Sequence, residues 1–331
     1  MAVTLNDIAK RVGLAKTTVS TVLNNRSAQV GIADETQKKI HKAAMDLGYR
    51  PSFSARSLAR GKTLSLGFIC GDINNPAVSE LASLGMEEAE KRGNHLMISV
   101  TKWDYQREMD CLNTLLERRV DGVMITSAAL QPGVPQYEHI IRDEFPVVVL
   151  DEHCPDTLSS VKNDWMTGMA QAVRLLKSKG HTRIGFLGKE NPDKKLYSKL
   201  SAFLSVCPQE KVDFCELECS IDIESACRMG RELADRADRP TAVIAYSDYI
   251  ATGLMLGLHE KGLSIPRDMA VIGIDGTDMG KYLLPPLTSI AVDRRKVVVQ
   301  AIEMLLEMID KKKIITKKVY LPTSLVVRAS T

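Results

Sequence analysis

Three features of the 331-residue sequence predict an α/β protein with a small all-helical head and a body of two similar lobes. Basic residues crowd the first sixty positions. The same stretch places apolar residues at helical spacing, interrupted by glycines. From residue 63 onward, short apolar runs alternate with longer amphipathic stretches, the pattern of βαβ units around a parallel sheet covered on both faces.

The head begins with Leu5, Ile8, Ala9 and Val12 on one helical stripe, stopped by Gly13. Val19, Val22 and Leu23 form a second stripe. Two short helices around a glycine turn predict a helix-turn-helix. The second helix then turns Lys16, Thr17, Ser20 and Thr21 outward. These are short donors and acceptors with one cation, the chemistry that meets base edges and phosphates in a major groove. A plain helical hairpin with a polar face is the alternative. Charge favours the first reading: residues 1–62 hold eleven Lys/Arg against four Asp/Glu, a net +7 in a chain whose total is +3, which leaves −4 for the rest. A basic head on a mildly acidic body is the electrostatic footprint of a phosphate-binding module.

A third helix is predicted over Ala33–Leu47, with Asp34 and Glu35 in its first turn and Gly48 closing it. Residues 53–59, between Pro51-Ser52 and Gly61, allow about two further turns, too few to hold in water without a partner. On DNA, Leu58 is the apolar side chain that could wedge between base pairs from the minor groove.

In the body, strands are predicted at 64–70, 95–100, 120–125 and 147–150, with helices at 78–92, 106–119 and 136–143 between them. The pattern repeats with strands at 183–187, 212–217, 242–245 and 270–274, and helices at 165–179, 194–205, 223–237 and 248–261. Ligands of open α/β sheets bind at the carboxyl ends of strands. The polar residues just past such ends are Asp72, Asn75, Lys102, Trp103, Asp151, Asp248 and Asp275. Each could instead be a helix cap or a turn residue.

Other chemistry is excluded on residues. Arg60-Gly61-Lys62-Thr63 has the tail of a P-loop, but Arg56 stands where the first glycine is required. No G-x-S-x-G or HExxH motif occurs, and the six histidines are scattered. His181, after Gly180, is expected to stabilise a helix C-terminus. Among the seven cysteines, Cys207, Cys215, Cys219 and Cys227 lie close in sequence without any CxxC pair, so no metal site or cofactor is expected. No signal-peptide core or bilayer-length apolar run is present, and reduced thiols in a cytoplasm are the expectation.

The stretch VTLNDIAKRVGLAKTTVSTVLN, followed by ETQKKIHKAAMDLGYRPSFSARSLARGKT, resembles the DNA-binding headpiece and hinge helix of the LacI/GalR (lactose-repressor) family. The resemblance runs through to Pro322-Thr323-Ser324-Leu325-Val326-Val327-Arg328. It implies a headpiece over 1–48, a hinge over 49–62 and a two-lobed core like that of periplasmic binding proteins. The chain would cross between lobes near 161–164, 289–292 and 320–323. The N-lobe is then 63–162 plus 291–320, and the C-lobe 163–290 plus 321–331. The resemblance further implies a ligand-responsive, non-enzymatic regulator, a repressor of a carbohydrate operon, bound as a homodimer to a near-palindromic operator. Lys16, Thr17 and Thr21 would read bases, with Thr18 and Ser20 on phosphates. Thr4, Asn24, Arg26, Tyr49, Ser54, Ala55 and Leu58 complete the expected DNA contacts. No heptad segment follows the last strand, so dimers and not tetramers are expected.

The chain departs from the family at several positions. Ala15 and Ala33 replace capping serines, and the loop from Asn25 to Gly31 is long. In Lys199-Leu200-Ser201-Ala202-Phe203, Lys199 replaces the usual arginine. Ser247 replaces an asparagine before Asp248. Ile221 and Ala77-Val78 replace aromatics, and Val292 replaces a polar residue. Lysine lacks the planar fork of arginine. With two lysines, Lys102 and Lys199, expected at the cleft, the residues point to an acidic or phosphorylated sugar. Two rival readings are a solute-binding protein without a DNA role and a regulator that senses a partner protein.

Overall fold

The computed structural model describes residues 3–24, 30–49, 61–126, 144–150, 154, 157–188 and 199–331. They fall into two compact units, Met1–Thr63 and Leu64–Thr331. The predicted turns at 53–59, with Ser54, Ala55 and Leu58, lie outside the described residues, as do Arg26, Asp151 and the predicted helix at 136–143.

The first unit holds α1 (Leu5–Val12), α2 (Lys16–Leu23) and α3 (Asp34–Asp46). Ile8, Ala9, Val12, Val19, Val22, Ile40, Ala43 and Ala44 bury together, with Leu14, Leu47 and Tyr49 packed around them. Gly13 ends α1 at φ +71°, and Gly48 follows α3 at φ +65°, left-handed positions suited to a residue without a Cβ. Asp7 accepts from both the Thr4 amide (2.8 Å) and the Thr4 hydroxyl (2.7 Å), which fixes the start of α1 and holds the Asp7 carboxyl below its usual range. Ala15 and Ala33, at the N-caps of α2 and α3, make no such bond. Each missing cap costs about 1 kcal/mol.

The second unit is built on two six-stranded sheets. The first contains β1 (Ser65–Cys70), β2 (His95–Val100), β3 (Gly122–Ile125), β4 (Val147–Val149), β5 (Ser159–Asp164) and β11 (Lys318–Pro322), all parallel, in the order β11-β5-β4-β3-β1-β2. On one face, Leu66, Phe68, Met124 and Val148 pack against α4 (Pro76–Lys91) and α10 (Arg294–Lys311). On the other, Ile69, Val123, Ile125 and Val149 pack against α5 (Tyr105–Glu117).

The second sheet holds β6 (Arg183–Leu187), β7 (Asp213–Leu217), β8 (Ala242–Ala245), β9 (Ala270–Asp275), β10 (Thr288–Ala291) and β12 (Ser324–Val326), in the order β12-β10-β9-β8-β6-β7, with only β12 antiparallel. One face packs on α6 (Trp165–Ser178) and α7 (Lys199–Glu210), the other on α8 (Ile223–Asp235) and α9 (Asp248–Glu260).

Several sequence expectations change. Strand β5 was expected to be only a crossover, yet Ser159, Ser160, Val161 and Lys162 are all buried in it. The Ser159 hydroxyl donates to the Ile315 carbonyl (2.5 Å) and accepts from the Lys317 amide (3.0 Å), so this buried hydroxyl is satisfied by chain far away in sequence. Helix α4 starts at Pro76 and not Val78, because Asn75 caps it and proline suits the first helical turn. Helix α7 runs to Glu210 and not 205, taking Pro208 into its last turn. Residues 194–198 of its expected start lie outside the described residues. The His181 side chain does not act as a cationic helix cap. Its ring meets the Thr241 hydroxyl (2.9 Å), and burial, aided by Lys179, lowers its pKa; its backbone amide, bonded to the Leu176 carbonyl (3.1 Å), closes α6.

Candidate functional site

In the first unit, burial of Val19 and Val22 turns the opposite side of α2 outward. Lys16 and Thr17 are exposed, and Thr18, Ser20 and Thr21 partly so. The first turn of α2 receives no bond from the Ala15 side chain, so its amides add positive potential beside Lys16. Asn24 is less available: its amide donates to the Ser20 carbonyl (2.8 Å) and hydroxyl (3.2 Å). Thr4 spends its hydroxyl proton on Asp7, and Tyr49 is half-buried against the head's core.

In the second unit, connectivity defines a cleft. Strand β5 leads from its carboxyl end directly into α6, β10 into α10, and β11 into β12. Each step passes from one sheet's layers to the other's. The carboxyl ends of both sheets therefore meet at the crossovers, where a ligand can touch both lobes. Thr323 ties two crossings: its hydroxyl donates to the Asp164 carbonyl (2.6 Å) and accepts from the Gly168 amide (3.1 Å). A Cβ at Gly168 would come within 2.4 Å of Ile290 and 2.6 Å of the Thr323 hydroxyl, so glycine lets the crossings approach. Val292 packs on the cores of both lobes, which accounts for an apolar residue at that crossover.

On the N-lobe side, Lys102 and Trp103 follow β2 at φ +56° and +60°. The Lys102 amine donates to Asp72 (2.7 Å), and this bond, with one from the Asn74 amide, holds the Asp72 carboxyl below its usual range. Trp103 lies over the backbone of Gly71, where a Cβ would sit 2.2 Å from the indole, and leaves 42% of its surface exposed.

On the C-lobe side, Asp275 ends β9 at φ +116°, a conformation that costs a residue with a Cβ about 1–3 kcal/mol and persists only when its surroundings hold it. Lys199 bonds its carboxylate at 3.1 Å and the Tyr246 carbonyl at 3.0 Å. The Lys199 ammonium also lies 4.9 Å from the Trp165 ring and 4.4 Å from the Tyr246 ring, cation–π distances. Behind Asp275, the guanidinium of Arg294, only 6% exposed, donates to the Asp275 carbonyl and, at 3.4 Å, to the Gly276 carbonyl. Its other donors reach Glu80 on α4 at 2.8 Å.

Asp248 is engaged in the turn beyond β9. It is buried, and its two oxygens accept from the Thr277 amide (2.6 Å), the Thr277 hydroxyl (2.8 Å) and the Ser289 hydroxyl (2.5 Å). Ser289 in turn accepts from the Gly276 amide (2.9 Å). Asp248 thus ties down the turn that carries Asp275. Burial, and then the nearby charge of Asp275, push its pKa up to about 6. Ser247 caps α9 by accepting from the Ile250 amide (3.2 Å), and Asn75 caps α4 by accepting from the Ala77 amide (2.9 Å). Both are engaged in local structure. Ile221, at the position where an aromatic was expected, is 43% exposed.

The structure therefore brings Lys199 and Asp275 together, pairs Lys102 with Asp72, and engages Asp248, Ser247 and Asn75 in local hydrogen bonds. Sequence reasoning missed Tyr246, Arg294 and Asn163. The Asn163 side-chain oxygen, near the carboxyl end of β5, is buried without a hydrogen-bond partner. An orphaned acceptor at a cleft is a signal visible only in three dimensions. Both lysines that suggested an acidic ligand are already neutralised by a carboxylate. No group of three or more potential metal ligands occurs among the described residues.

Two family models match the chain: bacterial regulatory proteins of the lacI family over residues 4–52, and a periplasmic binding protein-like domain over residues 173–331. The HTH-type transcriptional repressor PurR of Vibrio cholerae is 31% identical over 314 residues, spanning 93% of this chain and 92% of that protein. The lac repressor dimer bound to operator and the anti-inducer ONPF matches with a TM-score of 0.85 at 24% identity, over 100% of this chain and 99% of that one, and establishes likeness of fold. A LacI family transcriptional regulator from Enterococcus faecium, with bound ribose, matches with a TM-score of 0.71 at 28% identity, over 81% of this chain and 98% of that one.

Proposed function

The chain belongs to the lacI family of bacterial regulatory proteins, DNA-binding transcriptional regulators, and from that premise we propose that it represses a carbohydrate-utilisation operon under the control of a small molecule held between its lobes. The observation that carries the DNA role is the outward face of α2, where Lys16 and Thr17 stand free of the head's core in a segment of net charge +7. In this reading residues 1–48 are the headpiece, 49–62 the hinge, and 63–162 plus 291–320 and 163–290 plus 321–331 the two lobes. Lys16, Thr17 and Thr21 read bases, and Leu58 wedges the operator centre. Ligand binding changes the affinity for DNA by linkage between the two sites.

The decisive experiment mixes purified protein with fragmented DNA from its source organism and sequences what is retained. Enrichment of one near-palindrome beside sugar-catabolic genes is expected. No enrichment, with or without cell extract as a source of corepressor, would defeat the proposal. On the selected site, Leu58→Ala weakens binding strongly while sparing nonspecific DNA; equal losses on both would remove the wedge.

For the effector, the paired lysines and the orphaned Asn163 oxygen favour a neutral, polyhydroxylated sugar that donates hydrogen bonds, over an acidic one. Trp103 supplies an exposed ring against which a sugar face can pack. Ribose, present in the Enterococcus faecium relative, is the first probe. Calorimetry should show ribose binding more tightly than ribose 5-phosphate, and the reverse order would return the site to acidic ligands. A homodimer in the cytoplasm completes the proposal. Tyr282 (81% exposed) and Leu284 (92%) offer an apolar surface for a second copy, and the lac repressor neighbour is a dimer. Among the described residues no helix is long and apolar enough to cross a membrane.

A further inference from the structure

We infer that Arg294 is a positioning residue that transmits the state of Asp275 in the C-lobe to helix α4 of the N-lobe. The inference rests on the reading of Asp275 as part of the effector site. Three observations carry it. First, Arg294 holds both ends at once: the backbone carbonyls of Asp275 and Gly276 on one side and the Glu80 carboxylate on the other. Second, it is almost fully buried, whereas the neighbouring links from α10 to α4 and its C-cap, Arg295–Glu87 (3.1 Å) and Arg92–Glu303 (3.1 Å), are exposed or partly exposed. Exposed pairs yield when one helix shifts; a buried guanidinium with its donors engaged cannot be left without partners and must be followed.

Third, the end it grips is under tension. Asp275 sits at φ +116°, held on the side-chain side by Lys199 and on the backbone side by Arg294, while Asp248 and Ser289 anchor the next residues. A ligand group that engages the Asp275 carboxylate competes with Lys199, and the peptide relaxes by rotating. Its carbonyl is held by Arg294 and also, at 3.3 Å, by the Val292 amide of the same crossover. The guanidinium is planar and rigid, so rotation at one edge is felt at the other, where Glu80 belongs to α4. The polar residue of the family's crossover is absent here, since Val292 makes that crossing apolar. The polar connection is instead made two residues later by Arg294.

The test uses the full chain and a substitution as the probe, so it needs no identified effector. Asp275→Asn removes the ion pair with Lys199, and hydrogen exchange of amides 76–91 in α4 is read by mass spectrometry. In the otherwise natural chain, Asp275→Asn should change exchange there by about fivefold. The same substitution should have little effect on α4 in a Glu80→Ala background, where the link is cut at a half-exposed residue that folding tolerates. It should also have little effect in an Arg294→Lys background, which keeps a cation but not the fork. Exchange in α5 serves as the internal control and should stay unchanged throughout. A response in α4 that survives both backgrounds undiminished, or no response in the natural chain, would overturn the relay. Ribose calorimetry on the natural chain reports separately on the effector site, so failure of that reading and failure of the relay are distinguishable.

Discussion

The two cation–carboxylate pairs at the lobe ends are chemically alike and physically unlike. Lys102–Asp72, at 2.7 Å, has its side chains 47% and 32% exposed; Lys199–Asp275, at 3.1 Å, has 11% and 14%. The first stays in water, where its attraction is screened and its worth is small. The second has lost most of its hydration and replaces it with a carbonyl and two aromatic rings. Distance does not rank the two pairs: losing one partner costs more where the other is left with little water. The lobes therefore present different surfaces to a ligand: an adjustable pair beside an exposed indole on one side, and a preset, internally neutral floor on the other.

The sharpest way to break this contrast is Lys199→Met. It leaves Asp275 without its cation in a buried position and should cost about 3 kcal/mol. Adding Asp275→Asn should recover much of the loss, since removing both charges is far milder than removing one. Thermal unfolding of the three chains decides, and no recovery in the double variant would mean that Lys199 matters for packing alone.

Next in size is a pH effect confined to the C-lobe. Asp248 has a folded pKa near 6, above its unfolded value of about 3.9, so the folded state binds this proton more tightly. The contribution of this group to stability therefore grows as pH falls from 7 through 6 toward 4, by roughly 2–3 kcal/mol. The Asp72 carboxyl is held low and adds nothing in that window. Melting profiles of the natural chain and Asp248→Asn should diverge between pH 7 and 4.5; parallel profiles would sink the assignment.

Gly71→Ala should displace the Trp103 ring, costing about 1–2 kcal/mol and shifting its fluorescence. The smallest effect is that of Lys102→Ala, below about 1 kcal/mol and fading with added salt. A loss as large as that of Lys199→Met would erase the distinction between the pairs.

The contrast also marks what sequence alone could convey. The head was legible because its apolar stripes, glycines and charge all act within a few turns. Strands β10, β11 and β12 were not assigned, but β1–β4 and β6–β9 were legible as apolar runs. Strand β5 was not, because Ser159 and Ser160 are buried polar residues, and Ser159 finds its partners at Ile315 and Lys317. Asp275 and Lys199 were identified by resemblance, but not their mutual bond, which turned an apparent cationic site into a neutral one. Asp248 and Ser247 show the converse: a polar residue after a strand can line a ligand site or hold a turn, and only the acceptor geometry separates the two. Arg294 had no linear signal, since nothing in a string of letters shows that the first residue of a helix reaches back to a carbonyl nineteen positions earlier.

Helix α10 completes the N-lobe core from the far end of the chain. Val297, Val298, Ala301, Ile302, Leu305 and Met308 cover a face of a sheet whose first strand is Ser65–Cys70. On a ribosome that adds about 5–20 residues per second, that face waits on the order of tens of seconds for its cover. The C-lobe, encoded almost wholly between Trp165 and Ala291, is ready sooner. The lobe that begins first thus waits longest for the cover of its core, and Leu66, Phe68, Met124 and Val148 are the side chains a nascent-chain chaperone would meet in the interval.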